Sequence, residues 1–244
     1  MKKNSSNTPL FKHGRFVLVL VLAQMGFAAT QANAYDLATD YSATLNPTGV
    51  WSYGAQATPG GPFQLFNIHR ASPSENGVLV DNWQFGLFEP TIWHNGTANT
   101  ATSDGGQGIY PPGTVALFSA ANGTPYGFGM ARFTAPQAGS YQLSTTVHSY
   151  LNGPSSGDYD FHVLDNGVQL FGQFLPGNTG TSYSATLNLL AGETIDFAIG
   201  RGLDGNGNYS GAVIQASLTP VPEPGTFALA SLGVAAMLAV RRRK

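Results

Sequence analysis

Between Gly139 and Leu189 the chain alternates, apolar and polar, with a period of two. In Tyr141-Gln-Leu-Ser-Thr-Thr-Val-His, the residues Tyr141, Leu143, Thr145 and Val147 share one face. In the next run Tyr159, Phe161 and Val163 face one way, and Asp158, Asp160 and His162 the other. This is the pattern of a half-buried strand and excludes an amphipathic helix, whose period is 3.6. Asp165-Asn166-Gly167-Val168 follows, and Asn-Gly is the strongest short hairpin signal because a type I′ turn needs positive φ at both central residues. A two-residue turn there pairs Val163 with Leu170 and Phe161 with Gly172, on the apolar face.

Further on, Tyr183, Ala185, Leu187 and Leu189 alternate, then Ile195, Phe197 and Ile199; a three-residue loop, Ala191-Gly192-Glu193, would set both on one face. A last strand puts Ala212, Ile214, Ala216 and Leu218 on one side. Weaker strands are expected at Val50–Tyr53, Phe63–His69, Val78–Phe85, Thr114–Phe118 and Gly127–Phe133. About ten short strands with frequent turns predict an all-β fold, a single antiparallel β-sandwich of jelly-roll type. Thr97 to Gly108 has no pattern and is expected to be a mobile loop.

Both ends of the chain read as addresses. Lys2, Lys3, Lys12 and Arg15 precede a largely apolar run, Phe16 to Ala29, and Ala32-Asn33-Ala34 has the small-x-small form of a cleavage site. Residues 1–34 are thus a secretory signal peptide, read by the Sec translocon, with Tyr35 the first mature residue; a retained signal anchor is the alternative. At the other end Val221-Pro222-Glu223-Pro224 is extended, because proline fixes φ and disfavours helix in the residue before it. The apolar run 225–240 follows, then Arg241, Arg242, Arg243 and Lys244. Sixteen helical residues span roughly 24 Å, short against a hydrocarbon core of about 30 Å, but flanking arginines that snorkel can close the gap. The basic cluster keeps its end cytoplasmic.

Together Val221, Pro222, Glu223 and Pro224, the apolar helix and the cluster Arg241–Lys244 resemble the PEP-CTERM sorting signal of exported Gram-negative bacterial proteins. The resemblance implies that an exosortase-type membrane peptidase recognises and cuts this tail, and that the protein is associated with exopolysaccharide and biofilm. It makes the 225–240 helix a temporary anchor and residues 221–244 the sorting tail.

The body is what remains, residues 35–220. It has no lysine and no cysteine, and only Arg70, Arg132 and Arg201 against twelve acidic residues, a net charge of −9 where the whole chain is −2. Nucleic acid is excluded as a partner, since phosphate neutralisation needs clustered cations. Neutral glycans, or acidic ones bridged by cations, remain compatible. Without cysteine there is neither a disulfide nor thiolate chemistry.

Three stretches of the body, Asn46-Pro-Thr-Gly-Val-Trp51-Ser-Tyr53-Gly, Phe133-Thr-Ala-Pro-Gln-Ala-Gly-Ser-Tyr141 and Leu190-Ala-Gly-Glu-Thr-Ile-Asp-Phe197, resemble the carbohydrate-binding-module-like jelly rolls of many PEP-CTERM proteins. Such domains often carry an Asp just before the last strand, where this chain has Tyr209-Ser210-Gly211.

Candidate sites follow from residue type. Trp51, Tyr53, Trp93 and His94, with Trp83 and Tyr110, could build a flat platform for sugar rings, or fill the core as most sandwich tryptophans do. Trp93-His94-Asn95, beside the insert, is the preferred exposed group. Asp204, Asn206 and Asn208 offer oxygens at alternate positions, as a weak calcium loop does, but Tyr209 and Gln215 exclude an EF-hand. Otherwise no cofactor is expected. If strands 141–150 and 158–164 pair, His148 lies opposite Asp160 as a cross-strand charge pair. Gly153-Pro-Ser-Ser-Gly157 and Gly200-Arg-Gly-Leu-Asp-Gly205 imitate catalytic and dinucleotide motifs but lack the helix each requires. No catalytic residue is expected.

The sequence therefore favours a non-enzymatic, exported, exopolysaccharide-associated β-sandwich. A secreted glycan-active enzyme, with Glu89 as its acid, is the alternative. A purely structural surface protein is the third reading.

Overall fold

A computed structural model describes residues 34–86, 90–120, 123–153, 157–222 and 241. All fall in one compact unit. Among the described residues sixteen strands carry the fold: β1 (Tyr35–Asp36), β2 (Trp51–Gln56), β3 (Gln64–Leu65), β4 (Ile68–Pro73), β5 (Leu79–Gln84), β6 (Thr91–Asn95), β7 (Ala101–Ser103), β8 (Gly108–Tyr110), β9 (Thr114–Phe118), β10 (Phe128–Thr134), β11 (Gly139–Ser149), β12 (Tyr159–Asp165), β13 (Val168–Leu175), β14 (Gly180–Leu189), β15 (Thr194–Gly200) and β16 (Gly211–Val221).

One sheet runs β14-β11-β16-β9-β6-β5-β4, with β1 beside the far end of β16; the second runs β13-β12-β15-β10-β2-β3. All named pairs in both are antiparallel. From β9 onward the chain crosses between the sheets at every step except the β12–β13 hairpin, as in a jelly roll. The core is the filling between them: Trp51, Tyr53, Phe133, Phe161 and Phe197 from one sheet meet Tyr141, Leu143, Leu117, Ile214 and Leu218 from the other. Among the described residues every buried member of this core lies between Leu37 and Leu218.

The expected inward sets are inward: Tyr141, Leu143 and Val147; Tyr159, Phe161 and Val163; Ile195, Phe197 and Ile199; Ala212, Ile214, Ala216 and Leu218. The expected register after the Asn-Gly turn is not kept. Asn166 and Gly167 do have positive φ, 48° and 81°. A bulge at Val163/Leu164 then pairs Val163 with Phe171 and Phe161 with Gln173. The extra residue exchanges the faces of β13. Phe171 turns inward onto Phe161 (ring centroids 6.0 Å) and Tyr183 (5.1 Å), while Leu170 goes to the surface.

Two expected pairings fail because the partners belong to different sheets. β14 and β15 are not a hairpin; the 191–193 turn carries the chain across the sandwich, and both odd-numbered sets still meet in the core. His148 is not opposite Asp160 either: it faces Val213 and Gly180 on β16 and β14. The 97–108 insert is also not a loop throughout. It forms the hairpin β7–β8, held by two side chains from the β4–β5 turn. Both carboxylate oxygens of Glu75 accept from the amides of Gly105 and Gly106 (3.0 and 2.9 Å), and Asn76 Nδ2 donates to the Thr100 carbonyl (2.9 Å).

The family-like stretch around Asn46 is structural. Its side-chain amide takes the place of a strand neighbour, donating to the carbonyls of Tyr53 and Phe66 (2.8 and 2.9 Å) and accepting from the Tyr53 amide (2.8 Å). Glu193 likewise closes its own turn by accepting from the Leu190 amide (2.8 Å).

Candidate functional site

On the outer face of the β4-β5-β6-β9 half-sheet, alternate residues point away from the core. Register places Arg70 opposite Asn82, Asn82 opposite Trp93, and Thr91 opposite Phe118. The β7–β8 hairpin folds over part of this face and makes a second apolar cluster with Val80, Tyr110, Ala116 and Tyr150. What the hairpin leaves uncovered is an open groove of about 630 Å³. Arg70, Ser72, Asn82, Gln84 and Thr91 come from β4 to β6; Trp93, Phe118 and Tyr150 form an aromatic side; Asp104 and residues 207–210 close the ends.

Two amides in this groove are buried yet incompletely bonded. Asn82 is 4% exposed and Gln84 7%. Asn82 Oδ1, an acceptor, and Gln84 Nε2, a donor, have no hydrogen-bond partner among the described residues. Leaving such a group unpaired costs about 1–3 kcal/mol, so a ligand supplying one donor and one acceptor would recover that cost. The aromatic side is rigid: Trp93 packs on Tyr110 and Phe118 (5.3 and 5.2 Å), and Tyr150 on Phe118 and Tyr110 (5.0 and 5.7 Å). Burial, then the nearby Tyr110 and Asp104, push the Tyr150 phenol upward, and it stays a neutral donor.

The 207–210 segment is pinned. Ser210 Oγ lies 2.7 Å from the carbonyls of both Asp158 and Asn206 and donates its one proton to either, and the Ser210 carbonyl accepts from Ser119 N and Oγ (both 3.1 Å). Tyr209 between these anchors has φ of +62°, a left-handed conformation costly for an aromatic residue. Its side chain is held 44% exposed at the groove.

The sequence-derived candidates separate. Trp51 and Tyr53 are 0% exposed and cannot form a platform. Both point inward from β2: Trp51 packs on Phe133, with Nε1 donating to Asp40 (3.3 Å), and Tyr53 stacks on Tyr41. Trp83 is core as well, its Nε1 bonded to the Ser42 carbonyl (2.8 Å). Trp93 lines the groove, half-buried rather than free. His94 does not join it, because successive strand residues face opposite ways; its ring stacks on Tyr41 at 4.4 Å, and burial lowers its pKa.

Asp204 and Asn206 use side-chain oxygens on their own loop: Asp204 Oδ1 accepts from the Asn206 amide (2.7 Å) and Asn206 Oδ1 from that of Asn208 (3.0 Å). Among the described residues no three His, Asp or Glu side chains are grouped to hold a metal. Asp160 and His162 do meet, along one strand: His162 Nε2 lies 2.6 Å from Asp160 Oδ2, and Nδ1 2.6 Å from Gln169 Oε1. Glu89 lies outside the described residues, as do Ala32, Glu223, Pro224, the 225–240 run, Arg242 and Arg243. Ala34, Val221, Pro222 and Arg241 are described and exposed. No helix among the described residues is long and apolar enough to cross a membrane.

The groove residues missed in the sequence, Arg70, Ser72, Asn82 and Gln84, had one legible signal. Asn82 and Gln84 flank the inward Trp83 at alternate positions, which marks them as outward polar neighbours on one strand.

Several solved structures resemble parts of the chain at low identity. A carbohydrate-binding module (CBM51) from Clostridium perfringens, solved with methyl-galactose, is 13% identical, with 77% of this chain and 100% of that one covered and a TM-score of 0.36. A structure described as a CBM4 module is 13% identical, covering 55% and 88%, at 0.28. Rabbit GITRL is 14% identical, covering 38% and 74%, at 0.26. No curated protein sequence matches the chain. Residues 220–244 match the PEP-CTERM protein-sorting motif, beginning at Pro220, which still belongs to β16 and faces Tyr141. The chain thus ends in a PEP-CTERM sorting signal that starts within the last strand of a β-sandwich.

Proposed function

We propose that the protein is an exported, non-catalytic glycan-binding module of the cell envelope or extracellular matrix. In this reading the Sec translocon exports it, and residues 225–240 anchor it in the inner membrane. An exosortase-type peptidase then processes it through the sorting motif at 220–244. The observation that carries the binding half is the groove, where buried, unpartnered Asn82 Oδ1 and Gln84 Nε2 sit beside the aromatic side of Trp93, Phe118 and Tyr150. Sugar rings present apolar faces that stack on aromatic rings and hydroxyls that donate and accept at once, which suits this set. Among the described groove residues Asp104 is the single carboxylate. Glycoside hydrolysis usually needs two, which supports binding over cleavage.

Affinity electrophoresis of residues 34–222 in gels holding the host's exopolysaccharide, with and without calcium, tests the reading. Retardation is expected, weakened at least about tenfold by Trp93→Ala, a loss of roughly 1.4 kcal/mol, with no release of reducing ends. Unretarded migration in both gels would overturn it.

A further inference from the structure

The body's three arginines are not equivalent. Arg132 is locked to Asp196 by two bonds, Nε to Oδ1 at 2.6 Å and Nη2 to Oδ2 at 2.8 Å. Arg201 is committed to the chain around it, donating to the carbonyl of Ala120 (2.9 Å) and to the hydroxyl of Thr124 (3.0 Å). Arg70 is different. It is exposed on β4, lies opposite Asn82 in register, and lines the groove. No carboxylate among the described residues comes within ion-pairing distance of it. The one carboxylate lining the groove, Asp104, is engaged elsewhere, accepting from Ser103 Oγ at 2.6 Å. In a body with a net charge of −9, the cation left uncommitted therefore sits in the same groove as the two orphaned amides.

We infer that the groove selects a glycan bearing carboxylate groups, with Arg70 as the residue that sets this preference. This rests on the glycan-binding reading above and narrows it to a substrate class. The guanidinium offers two parallel N–H donors that match the two oxygens of a carboxylate, which a neutral hydroxyl cannot duplicate. Elsewhere the acidic body repels a polyanion, so attraction is confined to this groove and fixes how the polymer lies in it. Asn82 Oδ1 and Gln84 Nε2, on the neighbouring strand, then meet hydroxyls of the same or the next sugar.

The test uses residues 34–222 with polygalacturonate and alginate, each beside its own methyl ester, which keeps the backbone and removes the charge. Wild type is expected to bind at least one acid polymer about tenfold or more tighter than its ester, with the difference shrinking as salt rises. Arg70→Gln should bring acid and ester to the same affinity, the readout being the acid-to-ester ratio rather than either affinity alone. Arg70→Lys should restore part of the preference, because it keeps the charge without the fork. Equal affinity of wild type for acid and ester, or a preference surviving in Arg70→Gln, overturns the inference. If neutral glycans alone are held, and held through Trp93, the inference fails while the module remains a glycan binder. If no glycan is held, both fall.

Discussion

His162 stands between two acceptors, Asp160 Oδ2 and Gln169 Oε1, each 2.6 Å from a ring nitrogen. Both nitrogens are satisfied only when both carry protons. Burial alone would lower the pKa of this ring, but the hydrogen bonds to Asp160 and Gln169 and the charge of Asp160 outweigh it and raise it above the ordinary 6.5. The resulting stabilisation is complete below pH 6.5 and disappears as pH rises through the higher folded value. His94 works in the opposite sense: its lowered pKa stabilises above pH 6.5 and is lost as pH falls through the folded value. The wild-type pH curve mixes the two, so the difference between wild type and His162→Asn is the useful quantity. Thermal melts should show that difference to be larger at pH 5.5 than at pH 8.5; a pH-independent difference would refute the account. Asp196, 0% exposed, gives a second test. Asp196→Ala should cost about 3–5 kcal/mol, because it strands Arg132 under the Phe63 ring. Arg132→Met combined with Asp196→Leu should recover much of that in chemical denaturation. At this level the sequence was only partly legible. Alternation announced that Phe161 and Val163 are inward, but not that Asp160 would be buried, since its cover comes from the 201–203 backbone, where the Gly202 amide donates to it at 2.8 Å.

Among the strands, alternation fixed which face of β11, β12, β15 and β16 is apolar, and the Asn-Gly turn is where it was expected. It did not say which sheet a strand joins. Two strands with inward odd residues look alike whether they pair side by side or face each other across the core, and for β14 and β15 the second holds. The 97–108 insert misled for a related reason: its order comes from Glu75 and Asn76, distant in sequence, not from any pattern of its own. Trp51 and Trp93 begin and sit within similar polar-aromatic runs, and only the layering of the sheets decides that one fills the core and the other the groove. The crossing of β10 behind β9 gives a prediction that couples packing to the site. A Cβ placed on Gly129 would clash with the Phe118 carbonyl oxygen. Gly129→Ala must therefore displace the end of β9 that carries Phe118 into the groove. The expected result is a loss of about 1–3 kcal/mol of stability together with weaker glycan retention, read by denaturation and affinity gels on the same sample. Intact retention in a destabilised variant would mean that Phe118 is not positioned by this contact.

For the molecule as a whole, the core formed by the described residues lies between Leu37 and Leu218. The segment 34–222 is expected to unfold in one cooperative transition without either terminal address, and Trp51→Ala should lower its stability by about 3–5 kcal/mol. Several transitions in calorimetry would contradict a single core. The last strand runs to Val221, still paired with Ser140, and the apolar run begins at Gly225. Four residues of fully extended chain reach at most about 14 Å. In the proposed reading, the uncut protein is on a very short leash. Its sandwich can patrol only a thin layer against the bilayer, and polymer must come to it. Severing that leash changes the search from two dimensions to three, so processing would decide not only where the protein resides but how much of the matrix each copy can survey.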